Sequence, residues 1–165
     1  MKDISTHTHP ISPIYDEHSA ILILGSFPSV KSRETGFYYG HPQNRFWKML
    51  STILNSELPL TVKSKTDLLL SHRIALWDVI AECDICGSSD SSITNVVAND
   101  LSIILKVSKI KAVFTNGNTA SKLYNKYIYP KTGLAAISLP STSPANASYS
   151  FARLCDAWGR IKEFI

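Results

Sequence analysis

The sequence predicts an α/β fold, a three-layer α/β/α sandwich around a mostly parallel, four-stranded central sheet. Three observations lead there. Short, continuously apolar runs recur along the chain, and each stops at Gly, Asp, Asn or Pro. Strands buried on both faces of a parallel sheet read this way. Segments with apolar residues at helical spacing lie between these runs, the alternation of strand–helix units. With 165 residues, 44% of them hydrophobic and 18% charged, the chain fits one globular domain over 1–165.

The elements follow in order. Residues 20–24 (Ala-Ile-Leu-Ile-Leu) predict a strand ending at Gly25. Phe46, Trp47, Leu50, Ile53 and Leu54 share one face of a helix over 44–55. Residues 74–77 predict a second strand, continuing through Val79 and Ile80. Val96, Val97, Leu101, Ile104 and Leu105 predict a helix over 92–107. Residues 112–115 predict a third strand ending at Asn116-Gly117, with a helix after it carrying Ala120, Leu123, Tyr124 and Tyr127. Residues 134–139 predict a fourth strand ending at Pro140. Phe151, Leu154, Trp158 and Ile161 mark a closing helix interrupted only by Gly159.

Ligands of open parallel sheets bind beyond the carboxyl ends of the strands. Those ends place residues 25–28, Asp78, Asn116 and 141–146 around one rim.

Composition narrows the function classes. A net charge of +4 and a pI of about 9.0 favour a polyanionic partner. Lys31, Arg33, Arg45 and Lys48 gather near one segment and read equally as a solvated surface. The polar, acid-bearing N-terminus lacks the pattern of a secretory signal. No apolar run has membrane-spanning length, so a cytoplasmic protein without a membrane partner is expected. Three cysteines, Cys83, Cys86 and Cys155, cannot complete a disulfide framework. The C-x-x-C at 83–86 has no second pair, and His7-x-His9 supplies only two ligands, so no metal site is expected.

Chemistry concentrates in residues 25–48, GSFPSVKSRETGFYYGHPQNRFWK. Gly25 and Pro28 shape a turn that presents backbone amides, and Phe27 offers an aromatic face for stacking. Phe37, Tyr38 and Tyr39 precede His41-Pro42-Gln43-Asn44 at a helix start. Asn44 suits an N-cap, and it also suits a catalytic amide.

The strings Gly25-Ser26-Phe27-Pro28 and His41-Pro42-Gln43-Asn44-Arg45-Phe46-Trp47 resemble the first conserved region of the uracil-DNA glycosylase superfamily. The likeness is nearest to its hypoxanthine-DNA glycosylase branch and extends to the mismatch-specific uracil glycosylases. Residues 139–146, Leu-Pro-Ser-Thr-Ser-Pro-Ala-Asn, stand where the second superfamily motif follows the last strand. The resemblance implies the same three-layer fold and excision of a deaminated base, most simply hypoxanthine, from DNA by a monomer without a cofactor. Ser26 departs from the Asp, Asn or Glu that most branches place after the first glycine, so the resemblance moves the catalytic role to Asn44. Ser141, Thr142 and Ser143 replace the His or Asn that usually opens the second motif.

On this reading Asn44, His41 and Ser26 form the catalytic group. Gly25, Phe27, Pro28, Tyr39, Asp78 and Asn116 would hold the base. A carboxylate at Asp78 only accepts, which suits the N1–H of hypoxanthine, although a strand-end acid serves as readily in a cap or structural ion pair. Ser141, Thr142, Ser143, Pro144, Ala145 and Asn146 would meet the DNA backbone. Three rival classes remain: a mismatch-specific uracil or thymine glycosylase, a non-catalytic nucleotide- or DNA-binding α/β domain, and a serine hydrolase using Ser26. The last two lack their expected glycine-rich and G-x-S-x-G patterns.

Overall fold

The computed structural model describes residues 3–86 and 89–165. Two sheets organise it. Strand β1 (Ser5–Thr8) is followed by β2 (Ile21–Gly25), helix α1 (Val30–Thr35), α2 (Phe46–Ile53) and α3 (Val62–Ser71). Then come β3 (Ile74–Asp78), β4 (Ile80–Ile85), β5 (Thr94–Ala98), α4 (Ser102–Leu105) and β6 (Ala112–Asn116). Helices α5 (Asn118–Tyr127) and α6 (Tyr129–Thr132), strand β7 (Ala136–Leu139) and helix α7 (Phe151–Trp158) complete the order, and a 3₁₀ turn over Gly159–Phe164 closes it.

The predicted central sheet is present, all parallel, in the order β3-β2-β6-β7. Every residue of β2 and β3 is buried, as apolar runs covered on both faces should be. Helix α3 packs on β3, α5 on β6 and β7, and α2 against α7.

The second sheet, antiparallel in the order β1-β4-β5, was not expected. Two sequence expectations give way to it. The run 74–80 is not one strand: β3 stops at Asp78, and Ile80 begins β4 in the other sheet. The helix expected over 92–107 is strand β5 followed by the short α4. Asn99 and Asp100 divide the segment, Asp100 accepting the Ser102 N–H at 3.0 Å to start the helix while Val96 and Val97 stay extended. Asn99 also fastens the sheets together, its amide donating to the carbonyls of Asp78 at 2.9 Å and Ile80 at 3.2 Å. Asp78 therefore sits at the junction where the chain leaves one sheet for the other.

The closing helix is α-helical only as far as Trp158 and continues as the 3₁₀ turn from Gly159. Helix α3 had no expectation, although Thr61 and Ser64 form a capping box at its start.

Candidate active site

Because the four central strands run parallel, their carboxyl ends fall together. Gly25 pairs with Asp78 and Asn116 with Leu139. A cavity of about 320 Å³ opens there, towards the small end for ligand pockets. Gly25, Ser26, Phe27, Pro28, Tyr39 and His41 line it with Asn44, Asp78, Asn116 and residues 141–145. Asn146 lies instead in an adjoining opening that shares Asp90, Asn116 and Ser141 with the first.

Asp78 forms the deep end, its side chain 5% exposed. His9, 4% exposed, meets Asp78 Oδ2 through Nε2 at 2.8 Å. Since His9 Nδ1 accepts the Ile11 N–H at 3.2 Å, the ring proton on Nε2 is the one donated to the carboxylate. Asp78 Oδ1 is left close over Gly25, where any Cβ would collide with it and press on the Tyr39 hydroxyl. Glycine is required here by space. The Tyr39 hydroxyl is buried without a well-formed hydrogen bond, although the Asn116 amide is near. Burial first, and the Asp78 charge second, hold the Tyr38 and Tyr39 phenols well above their ordinary range.

The opposite wall is a polar chain through Thr142, which is 1% exposed. Its hydroxyl accepts from Asn116 Nδ2 at 3.0 Å and donates to Asn44 Oδ1 at 2.9 Å. Its N–H donates to Asn116 Oδ1 at 3.0 Å. Asn44 Oδ1 also accepts the Phe46 N–H at 3.0 Å. Asn44 thus serves the start of α2 and lines the cavity at once. Both acceptor directions of its oxygen are used, which orients the amide and leaves its NH₂ as the free donor.

His41 is exposed at the mouth. Its Nδ1 accepts the Gln43 N–H at 3.1 Å, leaving Nε2 as the free ring nitrogen. Ser26 does not stand alone: its hydroxyl reaches Asp90 Oδ1 at 3.4 Å. Desolvation against the rim raises the Asp90 carboxyl, the Ser26 bond opposes this, and the Asp78 charge adds to it. Phe27 is buried, edge-on to His9, with the Arg33 guanidinium 5.5 Å over its ring.

The H-P-x-N-R-F-W segment proves largely a fastening. Arg45 donates to the carbonyls of Tyr149 at 2.5 Å, Asn146 at 3.1 Å and Ser143 at 3.4 Å, clamping the loop after β7. Phe46 stacks on Tyr39 at 4.2 Å, and Trp47 Nε1 donates to the Tyr38 carbonyl at 3.0 Å. The group of cations read near this segment is accordingly dispersed. Arg45 is half-buried with its guanidinium on backbone carbonyls, Lys31 meets Glu34 at 3.8 Å, and Lys48 lies over the Phe151 ring.

Sequence reasoning missed His9, Asp90 and the joining role of Thr142. The ion-pair alternative for Asp78 was the available signal for His9. Nothing local distinguished Asp90 within its Ser-rich turn.

A cavity at the carboxyl ends of a parallel sheet, lined by carboxylates, amides and hydroxyls, defines a class of protein that holds a small ligand at its strand ends. Residues 12–162 match the family model described as the uracil DNA glycosylase superfamily, and the chain belongs to that family. It is a DNA glycosylase, a hydrolase of N-glycosidic bonds. It is 34% identical over 139 residues to a protein named hypoxanthine DNA glycosylase from Methanosarcina acetivorans, covering 83% of this chain and 87% of that one. A protein of the same name from Methanosarcina barkeri is 34% identical over 112 residues, covering 67% and 71%. The solution NMR structure of a candidate uracil DNA glycosylase from Methanosarcina acetivorans superposes with a TM-score of 0.81 at 31% identity, covering 97% of both chains. Among the described residues no helix is long and apolar enough to cross a membrane.

Proposed function

We propose that the chain excises a flipped deaminated base, hypoxanthine first, from DNA and leaves an abasic site. The observation that carries this reading is Asp78 Oδ1, an acceptor at the deep end of the cavity. Hypoxanthine presents a ring N1–H where adenine presents a lone pair, and uracil presents N3–H where cytosine presents a lone pair. An acceptor therefore favours the deaminated base over its parent. The names of the two Methanosarcina relatives support the same choice.

The remaining chemistry is orientation. Bond cleavage gives the sugar oxocarbenium character, which the DNA phosphates help to stabilise, and places negative charge on the departing base. The Asn44 NH₂ positions a water by donating to one of its lone pairs, leaving the other to attack the sugar. His41 Nε2 and the 141–146 loop offer donors to the leaving base, as preorganised donors do for oxyanions. The same loop, clamped by Arg45, meets the DNA backbone around the extruded nucleotide.

Duplexes carrying one hypoxanthine, uracil or xanthine, incubated with the protein in EDTA and then treated with alkali, test this reading. Strand breaks at hypoxanthine, reduced about 10²–10³-fold in Asn44→Ala, are expected. Breaks mainly at uracil would keep the family and change the base. No base release at enzyme excess would overturn the reading.

A further inference from the structure

We propose that His9 is a specificity-determining positioning residue: it fixes Asp78 as an acceptor-only reader of a ring N–H on the flipped base. The inference rests on the glycosylase reading and goes beyond it, because His9 lies outside both motifs and directly follows strand β1 of the other sheet. Its ring is held from three sides. Nδ1 accepts from Ile11 N–H, Nε2 donates to Asp78 Oδ2, and the rings of Phe27 and Tyr38 lie 5.9 and 6.1 Å away. Beyond the ring, the His9 N–H donates to the Ala81 carbonyl at 2.6 Å, tying it to β4.

The pair has a directional consequence. With Oδ2 satisfied by His9, Oδ1 is left over Gly25 at the cavity floor. A hydrogen bond from a ring N–H that is itself fixed by Ile11 also keeps the carboxylate in one rotamer, so the acceptor stands at one place. A ring N–H satisfies it. A ring lone pair, as in adenine or in unsubstituted purine, meets a buried acceptor with no proton between them, and the mismatch is costly. The buried Tyr39 hydroxyl approaches the same point over Gly25 as Asp78 Oδ1, so the carboxylate is crowded on that side.

The test uses the full chain and single-turnover release of hypoxanthine and of unsubstituted purine from duplex DNA. His9→Phe is expected to lower hypoxanthine release about 10–100-fold and purine release far less, so discrimination falls. His9→Gln, whose amide can both donate to Asp78 and accept from Ile11 N–H, should restore most of it. Asp78→Asn alone and combined with His9→Phe should give nearly the same rate, since His9 acts through Asp78. Equal losses on both bases, no rescue by Gln, or additive losses in the double variant would overturn the proposal. A melting curve separates these outcomes from unfolding, and the Gln and Asn variants carry the test if the Phe variant does not fold. Failure of the wild-type chain to release any base would remove the glycosylase reading, and this proposal with it.

Discussion

The two sheets of this molecule contribute to one cavity in different ways. The parallel sheet is a buried scaffold: β2 and β3 have no exposed position, and Gly25, Asp78 and Asn116 reach the site only as strand ends. The antiparallel sheet is half exposed, with Val97 of β5 at 54% exposure, yet the chain leaving β1 delivers His9 and the turn between β4 and β5 delivers Asp90. Burial energy and site chemistry are therefore divided unequally. The parallel sheet forms most of the core, to which β4 adds Ile80, Cys83 and Ile85, and the antiparallel sheet also completes the polar surroundings of a carboxylate it does not own.

The largest expected effect breaks the scaffold side. Leu22, at 0% exposure in the centre of β2, has no room to be replaced from solvent. Leu22→Ala should destabilise the fold by about 2–5 kcal/mol, through lost burial and the cavity left behind. Chemical denaturation would show it as a lower midpoint with an unchanged slope. A cost below about 1 kcal/mol would mean that the central sheet is not the principal core.

The next effect sharpens the site side. Thr142→Val keeps the shape of the side chain and removes the hydroxyl between Asn116 and Asn44. Asn116 Nδ2 then loses its partner and Asn44 Oδ1 loses one donor, at a cost of about 1–3 kcal/mol. Base release should fall about ten-fold in kcat with little change in KM, because the Asn44 amide is no longer held in one orientation. A pure KM effect would place Thr142 in DNA binding instead, the role its serine-rich surroundings suggest.

This division also explains what was legible in the sequence. The buried strands around residues 21–25, 74–78 and 112–116 announce themselves by composition, because strands covered on both faces are dominated by apolar side chains, with the polar Asp78, Thr115 and Asn116 falling at their carboxyl ends. Half-exposed β5 carries Val96 and Val97 beside Asn95, at a positive φ of 52°, and its pattern passed for a helix face. The motif residues were legible as a group, but their work was not. Arg45 reads as a surface charge until three carbonyls surround it, and Asn44 reads as a cap or a catalyst until one oxygen is seen serving both helix and site. The role of His9, noticed only as half of an H-x-H pair, stayed hidden for a simpler reason. Its partner lies 69 residues away, and no local period encodes that distance.

A smaller effect concerns the tyrosines that crowd Asp78. Burial and the nearby carboxylate raise the Tyr38 and Tyr39 phenols in the folded state, while the unfolded chain releases those protons near pH 10. The folded protein then binds more protons than the unfolded one above that pH. Their stabilising contribution is complete below about pH 10 and is lost as pH rises further. Melting temperatures between pH 7 and 11 should decline steeply at the alkaline end. Tyr39→Phe should make that decline shallower. At neutral pH it should also raise the melting temperature by about 2–4 °C, because a buried hydroxyl without a partner is removed. An unchanged alkaline limb would mean that the Tyr39 phenol is not raised in the folded state, and an unchanged melting temperature at neutral pH would mean that its hydroxyl finds a partner in solution.

The smallest expected effect returns to the exposed sheet. Val97 faces solvent from β5, and its pairing with Glu82 of β4 lies beside a register shift. Its methyl groups are mostly in water already, so Val97→Ala should change stability by less than about 0.5 kcal/mol and leave base release unaltered. The comparison with Leu22→Ala isolates burial, since both residues are aliphatic and both lie within strands. A large loss from Val97→Ala would show that the exposed face of the antiparallel sheet contributes packing as well as the buried face that carries Ile80, Cys83 and Ile85. His9 would then depend on that sheet's stability as much as on its own hydrogen bonds, and conditions that loosen the sheet would relax base discrimination before they unfold the chain.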